Sequence, residues 1–330
     1  MPVFVFPGQG AQFPGMGMDL YEADSDGTMG VRALFSLASD ILGKDIASLL
    51  TADEETLKRT DVSQVAITVA SLAAVRALAA KGITPAACAG FSLGEYPALA
   101  TAGVISEADA IKLTIERGRI MQEAATALQE AARAASADPE ANVAPGMAAV
   151  IGLPAEKVDA VIAALVSSGQ VAEGTLFAAN YNSPLQTVVS GTASALDRAE
   201  PAFKEAGARR ALRLKVAGPF HSPLMAGAGA AFSRVLEPVS FASPAIALFS
   251  NVTGARITSG SEAKSCAVEH ISRPVRWTEE EAAIAALMGD LGIADLVEVG
   301  PGRVLTGLWG DSKLPGACKP YADVLSGAVE

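Results

Sequence analysis

The sequence predicts an α/β protein with two parts, a large domain built on a mostly parallel sheet and a smaller inserted domain. Half of the 330 residues are hydrophobic, and only 5% are aromatic. An apolar content carried by Ala, Val, Leu and Ile is typical of helices packed on a buried sheet. Short apolar runs that end in glycine-rich turns predict the strands. A β-α-β-β-α-β order in the middle of the chain predicts the second part.

The large domain is predicted from both ends of the chain, residues 1–124 and 217–330. "PVFVF" (2–6) predicts a central strand, and "TPAACAG" (84–90) predicts a second strand that enters a serine-containing turn. Between them, the apolar run at 63–81 is followed by a glycine, which predicts a buried helix. Apolar runs in "ALFSNVTG" and "LVEVGPGRVLTGL" predict further strands that complete the same sheet.

The middle of the chain predicts the inserted domain. Residues 125–145 are Ala-rich and end in turn-forming residues, so we expect a helix that runs on into an exposed linker. Across residues 146–216 the patterns follow in the order strand, helix, strand, strand, helix, strand. This is the order of a ferredoxin-like (βαββαβ) subdomain. Its insertion into the larger domain would leave a cleft between the two.

Composition and charge argue against several functions. A net charge of −11, from 36 acidic and 25 basic residues, argues against a nucleic-acid binder, because phosphate contacts need a basic surface. The two histidines, His221 and His270, are too few for a histidine-rich metal site. No stretch approaches the ~20 uninterrupted apolar residues that a membrane span requires. The start, "MPVFVFPGQG", lacks the basic region and cleavage site of a signal peptide, so we expect a cytoplasmic protein with no membrane partner.

A serine between two glycines in "GFSLG" (90–94) has the G-x-S-x-G spacing of a nucleophile elbow. On such an elbow Ser92 would present its hydroxyl at a helix N-terminus, and the N–H of Leu93 would face any oxyanion formed there. Glycine and serine are also common where a strand simply meets a helix. The spacing alone leaves both interpretations open, and an elbow would make the large domain α/β-hydrolase-like.

A serine hydroxyl needs a base, and the chain offers only two imidazoles. His221 lies in the loop "GPFHSP" (218–223), the kind of segment in which catalytic side chains concentrate. An idle, exposed loop imidazole is the alternative. The aspartates between Ser92 and His221 fall in helical patterns or in the predicted linker rather than at strand ends; they are Asp109, Asp138, Asp159 and Asp197. We therefore expect a Ser–His dyad whose imidazole is oriented by a backbone carbonyl, and no triad.

One arginine lies on the apolar face of a predicted helix. In "EADAIKLTIERGRIMQEA" (107–124) the polar face carries Lys112, Glu116 and Arg119, whereas Arg117 falls among apolar positions. A guanidinium in apolar surroundings needs a partner. That partner is either a protein carboxylate in a structural salt bridge or the carboxylate of a substrate, which the planar fork of arginine suits.

Taken together, seven segments resemble the malonyl-CoA:acyl carrier protein transacylase family. They occur in the family's order and cover nearly the whole chain: "VFPGQGAQFPGMG", "GFSLGEYPALATAGVIS", "ERGRIMQEA", "NYNSPLQTVVSG", "GPFHSPLM", "RPVRWTE" and "VEVGPGRVLTGL". The resemblance implies transfer of malonyl from malonyl-CoA to the phosphopantetheine thiol of an acyl carrier protein, in fatty acid or polyketide biosynthesis. It implies that Ser92 is acylated, that His221 is its general base and that Arg117 holds the free carboxylate of malonate. No metal or other cofactor is implied, since malonyl-CoA is a substrate.

The resemblance also assigns further substrate-binding residues. It implies that the backbone N–H of Gln9 is a second oxyanion donor beside Leu93, and that Phe220 belongs to the malonyl-selecting version of its loop. Two positions depart from the family pattern, Phe91 where histidine is usual and His270 where glutamine is usual. Both changes fall at the active site, so we expect rate, selectivity or carrier preference to differ from the housekeeping enzyme.

The expected partner raises a question of charge. Acyl carrier proteins are acidic, so a chain at −11 needs a local basic patch to bind one. The densest basic cluster lies in "ARRALRLK" (208–215); its members are Arg209, Arg210, Arg213 and Lys215. A charged strand edge that resists aggregation is the alternative. We expect a monomer. Two other functions stay open, a serine thioesterase or esterase on the same elbow and a non-catalytic carrier-binding module.

Overall fold

The computed structural model describes residues 1–137 and 143–327. Its strands, in chain order, are β1 (Val3–Phe6), β2 (Ala87–Gly90), β3 (Gly146–Ile151), β4 (Leu176–Ser183), β5 (Gln186–Gly191), β6 (Arg210–Arg213), β7 (Ala247–Ser250), β8 (Ala255–Ile257), β9 (Asp295–Glu298) and β10 (Ala317–Pro320). Its helices are α1 (Met18–Ala23), α2 (Val31–Leu42), α3 (Ile46–Leu50), α4 (Glu54–Lys58), α5 (Thr60–Ala80), α6 (Glu95–Thr101), α7 (Glu107–Ala135), α8 (Ala155–Ser167), α9 (Ala193–Glu205), α10 (Ala226–Leu236), α11 (Gly260–Glu269), α12 (Trp277–Leu291), α13 (Val304–Ser312) and α14 (Tyr321–Ser326). Single 3₁₀ turns lie at Ser92–Gly94 and Pro223–Met225.

The larger sheet has six strands in the order β10-β9-β1-β2-β7-β8. Every neighbouring pair is parallel except β7 and β8, which are antiparallel. All side chains of β1 and β2 are buried, because helices cover both faces of the sheet. The prediction of a mostly parallel sheet built from both ends of the chain is confirmed. The carboxyl ends of β1 and β2 meet at one edge, which places the loops that follow them side by side.

The smaller sheet has four antiparallel strands in the order β4-β5-β3-β6. Helices α8 and α9 cover one face, where Val150 and Phe203 belong to a separate core. The opposite face carries Met147 and Val188, which pack into the core that also holds α5 and α7. The predicted ferredoxin-like order is confirmed, and the second face places this sheet against the large one across a cleft.

Helix α7 joins the two parts. It begins with Ser106 as N-cap, whose hydroxyl accepts the N–H of Asp109 at 3.0 Å, and it continues to Ala135. The first part of the predicted 125–145 linker is therefore helical, and Ala125 is fully buried. Residues 138–142 lie outside the described residues, so the domain limits at 124/125 and 216/217 stay predictions.

Helix α5 runs through the middle of the large part. Within the described ranges it is the one helix whose length and composition would suit a membrane span, yet 78% of its apolar window is buried inside the protein. Such burial is typical of a central core helix.

Candidate active site

The serine turn is a strained elbow in this structure. Ser92 lies two residues beyond the end of β2 and has φ of 51°, a left-handed conformation that non-glycine residues rarely adopt. A Cβ on Gly90 would lie 2.1 Å from the backbone of Gly94, and one on Gly94 would lie 2.0 Å from the carbonyl oxygen of Phe6. Both glycines are thus required by close backbone approach. A plain strand-to-helix junction would need neither feature.

The structure brings Ser92 and His221 into contact. The hydroxyl Oγ of Ser92 lies 2.8 Å from Nε2 of His221, and Nδ1 of the same ring lies 2.9 Å from the backbone carbonyl oxygen of His270. Because a carbonyl only accepts, Nδ1 carries the hydrogen and Nε2 presents its lone pair to the serine hydroxyl. Burial, and then the positive charge of Arg117, lowers the pKa of His221 to about 4. The ring is therefore neutral at neutral pH and able to accept a proton.

The backbone also shapes the position of this imidazole. His221 has φ of 57°, and its N–H donates to the carbonyl of Ile271 at 3.1 Å. The aspartates considered from the sequence sit on helices instead, Asp109 on α7, Asp159 on α8 and Asp197 on α9. The group that faces Nδ1 is thus a backbone carbonyl, and Asp138 lies outside the described residues.

Arg117 is a buried cation beside the serine. Its side chain is 1% exposed, Nη1 donates to Oε1 of Gln64 at 2.8 Å, and Nη2 lies 3.4 Å from Oγ of Ser92. Its Nε has no hydrogen-bond partner among the described residues. The guanidinium stands 5.6 Å from the ring centroid of Tyr96. These neighbours are all neutral groups.

A structural salt bridge does not account for Arg117. None of the ion pairs formed by the described residues includes it. Burial lowers the pKa of the guanidinium. An anion bound beside Ser92 would therefore be stabilised by Arg117.

A cavity of about 250 Å³ opens between the two sheets. Gln9, Ser92, Arg117, Phe220 and His221 line it from the large part, and residues of β3, β4 and β5 line it from the small sheet. Phe220 is buried, and its carbonyl accepts the hydroxyl of Ser190 at 2.6 Å. The cavity is the cleft that the insertion of a small domain predicts.

The predicted oxyanion donors flank the serine. A Cβ on Gly8 would lie 2.5 Å from the carbonyl oxygen of Phe91, so the loop carrying Gln9 crosses directly over the elbow. Leu93 directly follows Ser92 on the elbow and is fully buried. The N–H of Ser92 itself is occupied by Oδ1 of Asn251 at 2.6 Å. The use of the Gln9 and Leu93 amides as donors stays a prediction.

The sequence predicts His270 as a substrate-binding residue, but the structure places it outside the cavity. It is fully buried behind His221, is absent from the cavity lining, and touches His221 through its backbone carbonyl. The other departure from the family pattern, Phe91, packs its ring 5.4 Å from that of Trp277. Neither side chain forms a hydrogen bond with Oγ of Ser92, whose partners are His221 and Arg117.

Sequence reasoning missed three residues at this site. Gln64 supports Arg117, Asn251 holds the backbone on both sides of Phe91, and Glu95 accepts the N–H of Asn251 at 2.6 Å. A strand-end asparagine in "FSNVTG" was the available signal for Asn251. Gln64 and Glu95 lie inside helices and carry no local signal.

The basic cluster is not uniform. Arg209 and Arg210 are exposed, and Lys215 reaches the lining of the cavity. Arg213 pairs with Asp197 at 2.7 Å and is neutralised by it. Among the described residues, Arg209, Arg210 and Lys215 form no ion pair, so three of the four predicted positions keep an unpaired charge.

Comparison with known proteins agrees with this geometry. A family model described as "Acyl transferase domain" matches residues 3–173. The malonyl CoA-acyl carrier protein transacylase of Bacillus subtilis is 36% identical over 306 residues, covering 92% of this chain and 88% of the relative. That of Escherichia coli K12 is 39% identical over 308 residues, covering 92% and 90%.

Solved structures give the same picture. An acyl carrier protein S-malonyltransferase from Vibrio cholerae superposes with a TM-score of 0.82 at 35% identity, covering 96% of this chain and 95% of that one. PlMCAT, the malonyl-transacylase solved in complex with the holo type II PKS acyl-carrier protein AntF, also gives 0.82 at 36% identity, covering 98% and 99%. The fold and the family match thus define an acyltransferase. Within that class, the chain belongs to the malonyl CoA-acyl carrier protein transacylase family.

Proposed function

We propose that this protein transfers a malonyl group from malonyl-CoA to the phosphopantetheine thiol of an acyl carrier protein through a malonyl-serine intermediate. The observation that carries the proposal is Arg117, a buried cation with neutral neighbours whose Nη2 lies 3.4 Å from Oγ of Ser92. An acyl donor with a free carboxylate would complete that arrangement, and malonyl is such a group. The names of the relatives support the same substrate.

In the first half-reaction malonyl-CoA enters the cavity with its carboxylate on Arg117. Oγ of Ser92 attacks the thioester carbonyl while its proton passes to Nε2 of His221. The oxyanion is held by the backbone amides of Gln9 and Leu93. The carbon–sulfur bond then breaks, and the departing CoA thiolate takes the proton from His221.

In the second half-reaction the carrier's thiol gives its proton to His221 and attacks the malonyl-serine ester. The ester bond to Ser92 breaks, and Oγ regains the proton from the imidazole. One thioester is consumed and one is formed. The two steps balance without a metal ion or redox cofactor.

The test is to give the enzyme malonyl-CoA together with a holo acyl carrier protein and follow both products. We expect malonyl on the carrier, with little free malonate. The control is the apo carrier, which lacks the phosphopantetheine thiol and should stay unloaded. Steady release of malonate with no loading of the holo carrier would instead identify a thioesterase.

We propose further that the carrier docks along the edge strand β6, between the exposed Arg209 and Arg210 at its start and Lys215 at the cavity. Arg209 and Arg210 lie at one edge of the small sheet, and Lys215 follows them into the cavity wall. Because long-range repulsion at a net charge of −11 must be offset locally, this is where an acidic partner would bind.

Arg209→Glu with Arg210→Glu is expected to raise the KM for the carrier and leave acylation by malonyl-CoA intact. The matched control is Arg234→Glu with Arg256→Glu, which changes net charge by the same amount at exposed positions outside the cavity lining. Steady-state kinetics at several salt concentrations measure both. An equal effect of the two pairs, or none, would leave the cluster as a charged strand edge.

A further inference from the structure

Four polar side chains form a buried cluster beneath the elbow. None of the four takes part in the acyl transfer steps described above. Glu95, Asn251, His270 and Glu280 are between 0 and 5% exposed. They come from α6, the end of β7, the residue after α11, and α12. Buried polar groups of this number are costly unless each is satisfied, so their arrangement needs a physical reason.

Asn251 links the two ends of the serine turn. Its Oδ1 accepts the backbone N–H of Ser92 at 2.6 Å, and its Nδ2 donates to the backbone carbonyl of Gly90 at 2.7 Å. A second donation goes to Oε2 of Glu280 at 2.6 Å. Because the first partner can only donate and the second can only accept, the orientation of the amide is fixed. Asn251 therefore clamps the strained backbone at Ser92 from both sides.

The fixed amide determines which nitrogen of His270 carries hydrogen. Nε2 of His270 lies 3.2 Å from Oδ1 of Asn251. That oxygen only accepts, so Nε2 must be the donor. Nδ1 then lies 3.2 Å from Oε2 of Glu95, and it has no aligned hydrogen-bond partner among the described residues. Two lone pairs would face each other there unless one proton lies between them.

That proton can sit on either partner, and the net charge of the pair is zero in both cases. Burial raises the pKa of Glu95 to about 7 and lowers the pKa of His270 well below its usual value. Both shifts favour a protonated Glu95 that donates to a neutral His270. The groups that face the pair from the surrounding elements are Tyr96, Arg117, His221, Ser250, Asn251, Cys266 and Glu280.

We propose that Glu95 carries one proton and donates it in a hydrogen bond to His270. This hydrogen bond fixes the orientation of the buried cluster of Glu95, Asn251, His270 and Glu280, which we call the buried support of the elbow. Asn251 is the positioning residue of this support for Ser92. His270 is the positioning residue for His221, because its backbone carbonyl holds the imidazole with Nε2 towards the serine. The kinetic part of this inference rests on the proposed acyl transfer, but the placement of the proton does not.

The first test reads the two imidazoles directly. The chain has only two histidines, so ¹⁵N labelling of histidine gives four ring nitrogens in an NMR spectrum of the folded, substrate-free protein. We expect opposite neutral tautomers at pH 7, Nδ1–H for His221 and Nε2–H for His270. His270→Gln removes one set of signals and so assigns the other. An Nδ1–H tautomer or an imidazolium at His270 would overturn the proposal.

The second test separates positioning from stability. Asn251→Ala should lower the rate constant for Ser92 acylation about tenfold, the equivalent of losing the hydrogen bond that holds the N–H of Ser92. The KM for malonyl-CoA should change less than twofold, because Arg117 is untouched. A purely structural role would lower the melting temperature and leave the acylation rate of the folded fraction unchanged, which would contradict the proposal.

A conservative pair at Glu95 tests the proton itself. Glu95→Gln supplies an N–H donor to His270 in place of the carboxyl O–H, so acylation should be retained. Glu95→Leu removes the donor, and acylation should fall about tenfold. Equal losses in both variants would overturn the proposal. A wild-type protein that formed no malonyl-serine would contradict the proposed function. The NMR spectrum would still show whether the proton lies on Glu95 or on His270.

Discussion

Arg117→Ala should lose roughly two to four orders of magnitude in kcat/KM for malonyl transfer while sparing acetyl transfer. In the variant the malonyl carboxylate enters a desolvated site with no cation, and breaking a buried charge pair typically costs ~3–5 kcal/mol. Acetyl-CoA has no carboxylate, so it escapes this penalty. The variant should therefore switch preference between the two thioesters rather than simply fail.

Arg119→Ala is the matched control, because Arg119 lies on the same helix but is exposed and pairs with Glu116 and Glu123. Malonyl and acetyl transfer are measured for both variants, with the melting temperature of each. If Arg117 were only structural, turnover of both thioesters would fall together with stability. Equal loss on the two substrates would defeat the carboxylate assignment.

His221→Ala should slow the acylation of Ser92 by about two to four orders of magnitude, the usual contribution of a general base. The reason is geometric, since Nε2 is the group 2.8 Å from the serine hydroxyl and is neutral at pH 7. The rate is measured by rapid quench with labelled malonyl-CoA. Binding of malonyl-CoA should persist, because Arg117 and the cavity are intact.

The left-handed backbone at His221 calls for a second variant. Asn tolerates positive φ better than Ala, so His221→Asn should keep the loop in place and still lack a strong base. Both variants are therefore expected to be slow. Acylation within tenfold of wild type in either one would remove His221 from the role of base.

Local patterns predicted the parts of this site that depend on neighbouring residues. The G-x-S-x-G pattern predicted Ser92, because the close backbone approach at the elbow requires glycine at both Gly90 and Gly94, which lie within five consecutive residues. Helical periodicity found Arg117 because a charged residue on an apolar face is visible within one helix. The order of strands and helices along the small domain followed from apolar runs in the same way.

The remaining contacts join distant parts of the chain and leave no periodic trace. Asn251 accepts the N–H of Ser92 although the two residues are 159 positions apart in the sequence, so no local spacing could predict this contact. The pairing of Arg213 with Asp197 depends on how α9 crosses β6, which removed one member of the predicted patch. The sequence shows His270 as a second imidazole, but its place behind His221 depends on the packing of α11.

The proposed acyl transfer requires a covalent malonyl group at Ser92. The most direct measurement is intact-protein mass spectrometry after incubation with malonyl-CoA alone, followed by peptide mapping of wild type and Ser92→Ala. We expect wild type to gain the mass of one malonyl group on the peptide that contains Ser92, and Ser92→Ala to gain none. An undiminished adduct in Ser92→Ala, or no adduct in wild type, would contradict the account.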